Sequence, residues 1–171
     1  MPTSPLVVPA LVALLVAPAT AADRGPSTPE ERARVVQIAA DTTKDPLKTL
    51  AANGRWFAKW LDEVPDILFG PEQPARWMEG AVKGEMRRVA IFAYQVGGVS
   101  HMIQHGISDP RKAPDQAVAI HTAALETVVR AYAALRDAKP ELRSPKLDEA
   151  LERLNQGTFP AFVQGMFGKA K

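Results

Sequence analysis

Along this chain apolar residues recur at three- and four-residue steps in successive blocks, and no stretch alternates with period two for long enough to make a strand. "TPEE" sets a capping Thr28 before Pro29, with Glu31 three residues on, the pattern of a capping box. Val35, Val36 and Ile38 to Ala40 follow as a short apolar face before the turn at "DTTKDP". Asp45 then caps a second helix whose first residue is Pro46. Its stripe is Leu47, Leu50, Gly54, Phe57, Leu61 and Val64, flanked by Trp56 and Trp60, and Pro65 interrupts it. Beyond the linker "GPEQP" a third segment runs from about Ala75 to Gly106, with Val82, Met86, Val89, Ala93, Val96 and Ile103 as its stripe and Phe92 alongside. At roughly 30 residues it is long for one helix, so a break or kink is expected at Gly84 or at Gly97-Gly98.

"SDPRKAPD" turns the chain into a fourth helix carrying Val118, His121, Leu125, Val128, Tyr132 and Leu135. Ser144 and Pro145 open a fifth, with Leu147, Leu151 and Leu154 inward and Gly157 as its stop. A last short amphipathic piece holds Phe159, Phe162, Val163 and Met166. Short loops between long amphipathic segments make neighbours antiparallel. The expected fold is therefore all-α, an antiparallel helical bundle of five or six helices forming a single domain over residues 22–171, after an N-terminal signal peptide.

The opening residues break the amphipathic pattern. "LVVPALVALLV", Leu6 to Val16, is uncharged and apolar throughout. It is shorter than the roughly 20 residues that span a bilayer, but it has the length of a signal-peptide hydrophobic region. Ala19-Thr20-Ala21 supplies an A-x-A cleavage site just before Ala22. "MPTSP" has no Lys or Arg, so only the amino terminus charges the leading segment. Residues 1–21 are read as a cleaved signal peptide, which makes the protein periplasmic or secreted and the mature chain not membrane-spanning.

The composition adds exclusions. There are no cysteines, hence no disulfide, no c-type haem attachment and no thiol nucleophile, so stability has to come from a packed core. Against 21 Lys+Arg stand 19 Asp+Glu, a net charge of +2 that creates little long-range field, and nucleic acid is not an expected partner. Nothing in the chain points to a particular oligomeric state.

Two stretches, "DPLKTLAANGRWFAKWLDEVPDI" and "AKPELRSPKLDEALERLNQGTFPAFV", resemble segments of small, exported, helical bacterial proteins that have no assigned activity. The resemblance covers about a third of the chain. It implies export and an all-α fold, and it carries no catalytic motif and no site residues.

Three constellations carry candidate chemistry. In "GGVSHMIQHGISDP", His101 and His105 stand one helical turn apart, the spacing that aims two imidazoles at one metal ion. At ~100° per residue, with Val89 as zero, they fall near 120° and 160°, away from the apolar centre if the helix is continuous; a kink at Gly97-Gly98 would rotate them inward. A zinc site needs further ligands and an oriented second shell, for which Asp109 and His121 are available, although His121 sits on a core stripe among Val118, Leu125 and Val128. No Glu stands between the two histidines, so the metalloprotease H-E-x-x-H is absent. In "NGRWFAKWLDEVPD", Trp56 and Trp60 stack at i, i+4 while Asp62, Glu63 and Asp66 crowd the helix end. They form either an aromatic-floored ligand site with an acidic lip or core anchors with solvated acids.

Enzyme motifs are lacking. G-x-S-x-G, GxGxxG and Walker-type loops do not occur, and Ser100 next to His101 points ~100° away from it. Glu79, Glu85 and Glu126 lack the Glu-x-x-His spacing of a di-metal carboxylate cluster. Met78, Met86 and Met102 could partner a histidine on haem, but methionine at helical spacing is core filler, and no cofactor is expected. The sequence favours an exported, non-enzymatic helical-bundle protein that binds an unidentified small ligand or envelope protein, with Trp56, Trp60, Asp62, Glu63 and Asp66 as its ligand-binding residues. The alternative is a metal-dependent protein or enzyme using a His101/His105 pair, with His121 as a third metal ligand.

Overall fold

Three helix starts are set by the same local device, a short oxygen-bearing side chain followed by proline. Thr28 accepts a hydrogen bond from the Glu31 N–H at 3.2 Å while the Glu31 carboxylate accepts from the Thr28 N–H at 3.0 Å, the reciprocal capping box. Asp45 accepts from Lys48 N–H at 3.2 Å and Ser144 from Leu147 N–H at 3.4 Å, each with Pro as the next residue. The computed structural model describes residues 24–70 and 73–167, and the signal peptide expected over residues 1–21 lies outside the described residues.

Among the described residues the fold is all-helical: α1 (Pro29–Thr42), α2 (Pro46–Glu63), α3 (Gln73–Glu79), α4 (Gly84–Gln104), α5 (Ala117–Arg136), α6 (Pro145–Asn155) and α7 (Phe159–Phe167), with single 3-10 turns at Pro110–Lys112 and Pro140–Leu142. The long third segment of the sequence pattern divides into α3 and α4, which raises the helix count to seven. The break spans residues 80–83, and α4 begins at Gly84, whose φ of 54° lies in the left-handed region that a side chain disfavours.

The second glycine position does something else. α4 runs unbroken through Gly97 and Gly98, and both are buried. A methyl group at Gly97 would stand 2.3 Å from Thr127 Oγ1 and 3.0 Å from the Ala123 carbonyl oxygen, both on α5. A methyl at Gly98 would stand 2.4 Å from the Phe69 ring. The glycines are spacers for close approach and leave the helix unkinked.

That approach makes α4 and α5 the most extensive pairing in the fold, with α1 as the next neighbour of α4. Two apolar clusters meet along α4. One gathers Met86, Val89, Ala90, Ala93 and Tyr94 with α5, Leu147 of α6 and Phe159 and Val163 of α7. The other gathers Phe92, Val96, Val99 and Met102 with Val35 and Ile38 of α1, Phe57 and Trp60 of α2, and Val64 and Ile67 after it. α4 therefore buries more than the single stripe expected of it. Phe69, on the linker after α2, packs against both clusters.

α5 is long and apolar enough to cross a membrane by length and composition alone, with a mean hydropathy of 1.2. In the fold it is a core helix, burying Ile120, His121, Leu125, Val128, Val129 and Tyr132 among others. Tyr132 also ties α6 down: its hydroxyl donates to Asp148 at 2.8 Å and accepts from the Ser144 N–H at 3.1 Å.

The close approach at Gly97 gives a direct test. Gly97→Ala should destabilise the protein by about 1–3 kcal/mol, the usual cost of overpacking, despite the roughly 1 kcal/mol that Ala gains over Gly inside a helix. Adding Thr127→Gly, which removes both the Oγ1 at 2.3 Å and the Cβ at 2.7 Å, should recover part of the loss that Gly97→Ala causes, measured against Thr127→Gly alone. Urea melts of the two single variants and the double variant give the coupling. A Gly97→Ala variant as stable as the parent would contradict the packing account.

Candidate functional site

The tryptophan face forms as a stack. Trp56 and Trp60 lie with ring centroids 5.9 Å apart and planes 20° from parallel, and Phe57 continues the stack at 6.0 Å. Trp60 is 2% exposed and belongs to the core, and its indole N–H has no hydrogen-bond partner among the described residues. The Trp56 ring is covered from outside by the Arg34 guanidinium at 3.7 Å, a cation–π contact.

Two of the three acids expected as a lip, Glu63 and Asp66, are engaged within the chain. Asp66 accepts from the Ser27 N–H at 2.8 Å, the Ser27 hydroxyl at 2.7 Å and Arg32 Nη2 at 2.7 Å. Burial works against its charge, but these three donors outweigh it and hold the carboxyl below its ordinary range. Glu63 pairs with Arg24 at 3.5 Å and Lys59 at 3.7 Å, which offsets an acid at the unfavourable end of α2. Asp62 is exposed. Arg24 also reaches Glu31 and the Trp60 carbonyl oxygen. These residues come together as a fastening that pins residues 24–28 to the end of α2.

The three histidines do not come to one place. His101 and His105 stack, with centroids 4.0 Å apart and planes 21° from parallel. His105 is exposed, as the helical projection predicts. His101 is only partly exposed, and its Nε2 is buried without a hydrogen-bond partner among the described residues. Burial first, and the neighbouring His105 second, push its pKa down. The projection misplaced His101 because it assumed one buried stripe, whereas α1 and α5 together flank a groove of about 280 Å³ that His101 enters with Ser100, Gln104 and Glu126. His121 is bonded to Tyr94, which precedes His101 by two turns of α4, about 10 Å of rise. Among the described residues no group of three or more His, Asp or Glu side chains could hold a metal ion, which removes His121 as a third ligand to the pair.

His121 has the most unusual setting. It is 1% exposed, and its Nδ1 lies 2.5 Å from the Tyr94 hydroxyl. Rings surround it: Phe69 at 5.6 Å, Tyr94 at 5.9 Å and Phe167 at 5.7 Å between centroids. Burial alone pushes its pKa down to about 4, so the imidazole is neutral at physiological pH. Its Nε2 is buried and, among the described residues, has no hydrogen-bond partner.

His121 also lines a recess of about 330 Å³, together with Leu68, Phe69, Gly70, Asp109, Pro110 and Arg111. The recess owes its shape to the linker after α2, held to the α4–α5 connection by the Leu68 N–H donating to the Ser108 carbonyl at 2.8 Å. At its edge Arg111 donates to Asp109 through Nε and Nη2, both at 2.9 Å. Arg111 holds the buried Asp109 carboxyl below its ordinary range, and the pair neutralises itself. A second recess, of about 170 Å³, shares Phe69 and Gly70 with the first and is lined also by Met78, Ile91 and Tyr94 among others. Among the described residues Leu68, 48% exposed, and Ile91, 36% exposed, are the exposed large hydrophobic residues, one at each recess.

The sequence pattern marks His121 as a core histidine, which it is, and passes over Phe69, Tyr94 and Arg111. The available signal was "ILFG", an apolar run without helical neighbours after Pro65, which has to find its burial by folding back on the core. The chain matches no protein-family model, no curated protein and no solved structure.

A neutral buried histidine leaves a signature in stability. Its folded-state pKa is depressed from 6.5 to about 4, so its contribution is complete above pH 6.5 and is lost as pH falls towards 4, where the folded state resists taking up the proton. The loss should amount to about 3 kcal/mol and level off below that. Urea melts from pH 7 to pH 4 measure it, and His121→Gln should flatten the profile in this window. An unaltered profile in that variant would show that His121 is not the group responsible.

Proposed function

We propose that this is an exported, non-enzymatic helical-bundle protein that holds a small, largely apolar ligand in the paired recesses that share Phe69. The observation that carries the reading is the His121 Nε2, a buried nitrogen inside an aromatic cage and without a partner among the described residues. Native proteins leave few buried polar atoms unsatisfied, and those they leave often mark a ligand or water position. Ligand sites are mostly apolar concavities with a few placed polar groups, and this one has Phe69, Leu68 and Ile91 for contact area and one imidazole for orientation.

The electrostatics narrow the ligand. His121 offers a neutral hydrogen-bonding nitrogen, and the Asp109–Arg111 pair is spent on itself. A ligand with one uncharged hydrogen-bonding group on an apolar body fits this set better than an anion or a cation. Export rests on the leader pattern of Leu6 to Val16 followed by Ala19-Thr20-Ala21, and places the binding in the bacterial envelope or outside it. The tryptophan face, with Trp60 closed over and Asp66 and Glu63 paired internally, supports a fastening role.

Indole, an apolar ring with one hydrogen-bonding N–H, is a suitable probe. Titrating it into the protein and following NMR signals should shift the Leu68 and Ile91 methyls and the His121 ring, while the Val35 methyls stay in place. Shifts centred on the Trp56 ring, or none at all, would contradict the assignment.

A further inference from the structure

We propose that His101 and His105 together bind a borderline divalent transition-metal cation, copper(II) most tightly, at the C-terminal end of α4. This site is separate from the recess over His121 and does not depend on it.

Four features converge there. The i, i+4 spacing has already brought the two imidazoles face to face at 4.0 Å. His105 Nδ1 lies 2.8 Å from the His101 carbonyl oxygen, so Nδ1 carries the proton and donates, which leaves the Nε2 lone pair free. A metal-binding imidazole is held in the same way, its far nitrogen fixed on a carbonyl or carboxylate. His101 Nε2 is buried and has no hydrogen-bond partner among the described residues, so a metal that reaches it supplies a missing contact and displaces none. The last turn of a helix, where free carbonyls concentrate partial negative charge, favours a cation.

The coordination is open. His105 is exposed, so a metal can approach its Nε2 from solvent while Nδ1 stays on the His101 carbonyl oxygen. Water fills the remaining positions, because the nearest acid in the groove, Glu126, is bound to Arg130 at 2.7 and 2.8 Å. Imidazole nitrogen suits copper and zinc among divalent metals, and the general affinity order places copper(II) above zinc.

The test is a titration of the full protein with copper(II) chloride, followed by electron paramagnetic resonance. The expected result is one saturating equivalent whose spectrum shows coupling to imidazole nitrogen, with His105→Gln weakening binding by about tenfold or more. Because His105 is exposed, that variant should keep its helical circular dichroism, so a loss of copper is not a loss of fold. The double variant His101→Gln/His105→Gln should lose the imidazole signal altogether. An affinity unchanged by His105→Gln, a spectrum without nitrogen coupling in the parent, or equal binding in the double variant would mean an adventitious ion only and would overturn the proposal.

Discussion

At the centre of the bundle α4 and α5 approach until Thr127 and the Ala123 carbonyl of α5 occupy the space where a Gly97 side chain would be. The next residue repeats the arrangement on another side, where Gly98 receives the Phe69 ring. Two adjacent residues of a helix point ~100° apart, so a pair of glycines opens two neighbouring faces at once. One face sets the spacing of the central helices; the other seats the linker that follows α2. The entropic cost of glycine inside a helix, up to about 1 kcal/mol each, is offset by the packing that each admits.

The setting of His121 follows from those two contacts. α5 carries His121 against Tyr94 of α4, and Phe69, seated on Gly98, lies beside both rings. Water is excluded, so the charged form is disfavoured and the imidazole stays neutral. The same linker leaves Leu68 exposed and creates the two recesses that share Phe69. A single structural choice, close packing at consecutive glycines, therefore connects the bundle's geometry to the chemistry of its most distinctive side chain.

Much of the architecture could be read from the chain. Thr28, Asp45 and Ser144 cap helices where their Pro partners indicate, and Gly157, with a φ of 72°, follows α6 as a stop. These signals are local, and local hydrogen bonding decides them. The use of Gly97-Gly98 could not be read, because a glycine that kinks a helix and a glycine that lets a neighbour in look alike until the neighbour is known. His101 illustrates the same limit: a projection from one helix has no knowledge of α1 lying across it. The stack of Trp56 on Trp60 was legible from i, i+4 spacing, whereas the engagement of Asp66 by Ser27 and Arg32, some 34 to 39 residues away, was not.

Phe69, seated on Gly98, keeps His121 buried and neutral. An NMR pH titration of the His121 imidazole, in the parent and in Gly98→Ala, tests it most directly. The midpoint should lie near 4 in the parent and rise towards the ordinary value of about 6.5 in the variant as the added methyl displaces the Phe69 ring. A folded Gly98→Ala protein whose His121 still titrates as in the parent, or a parent His121 that titrates like a free imidazole, would contradict it.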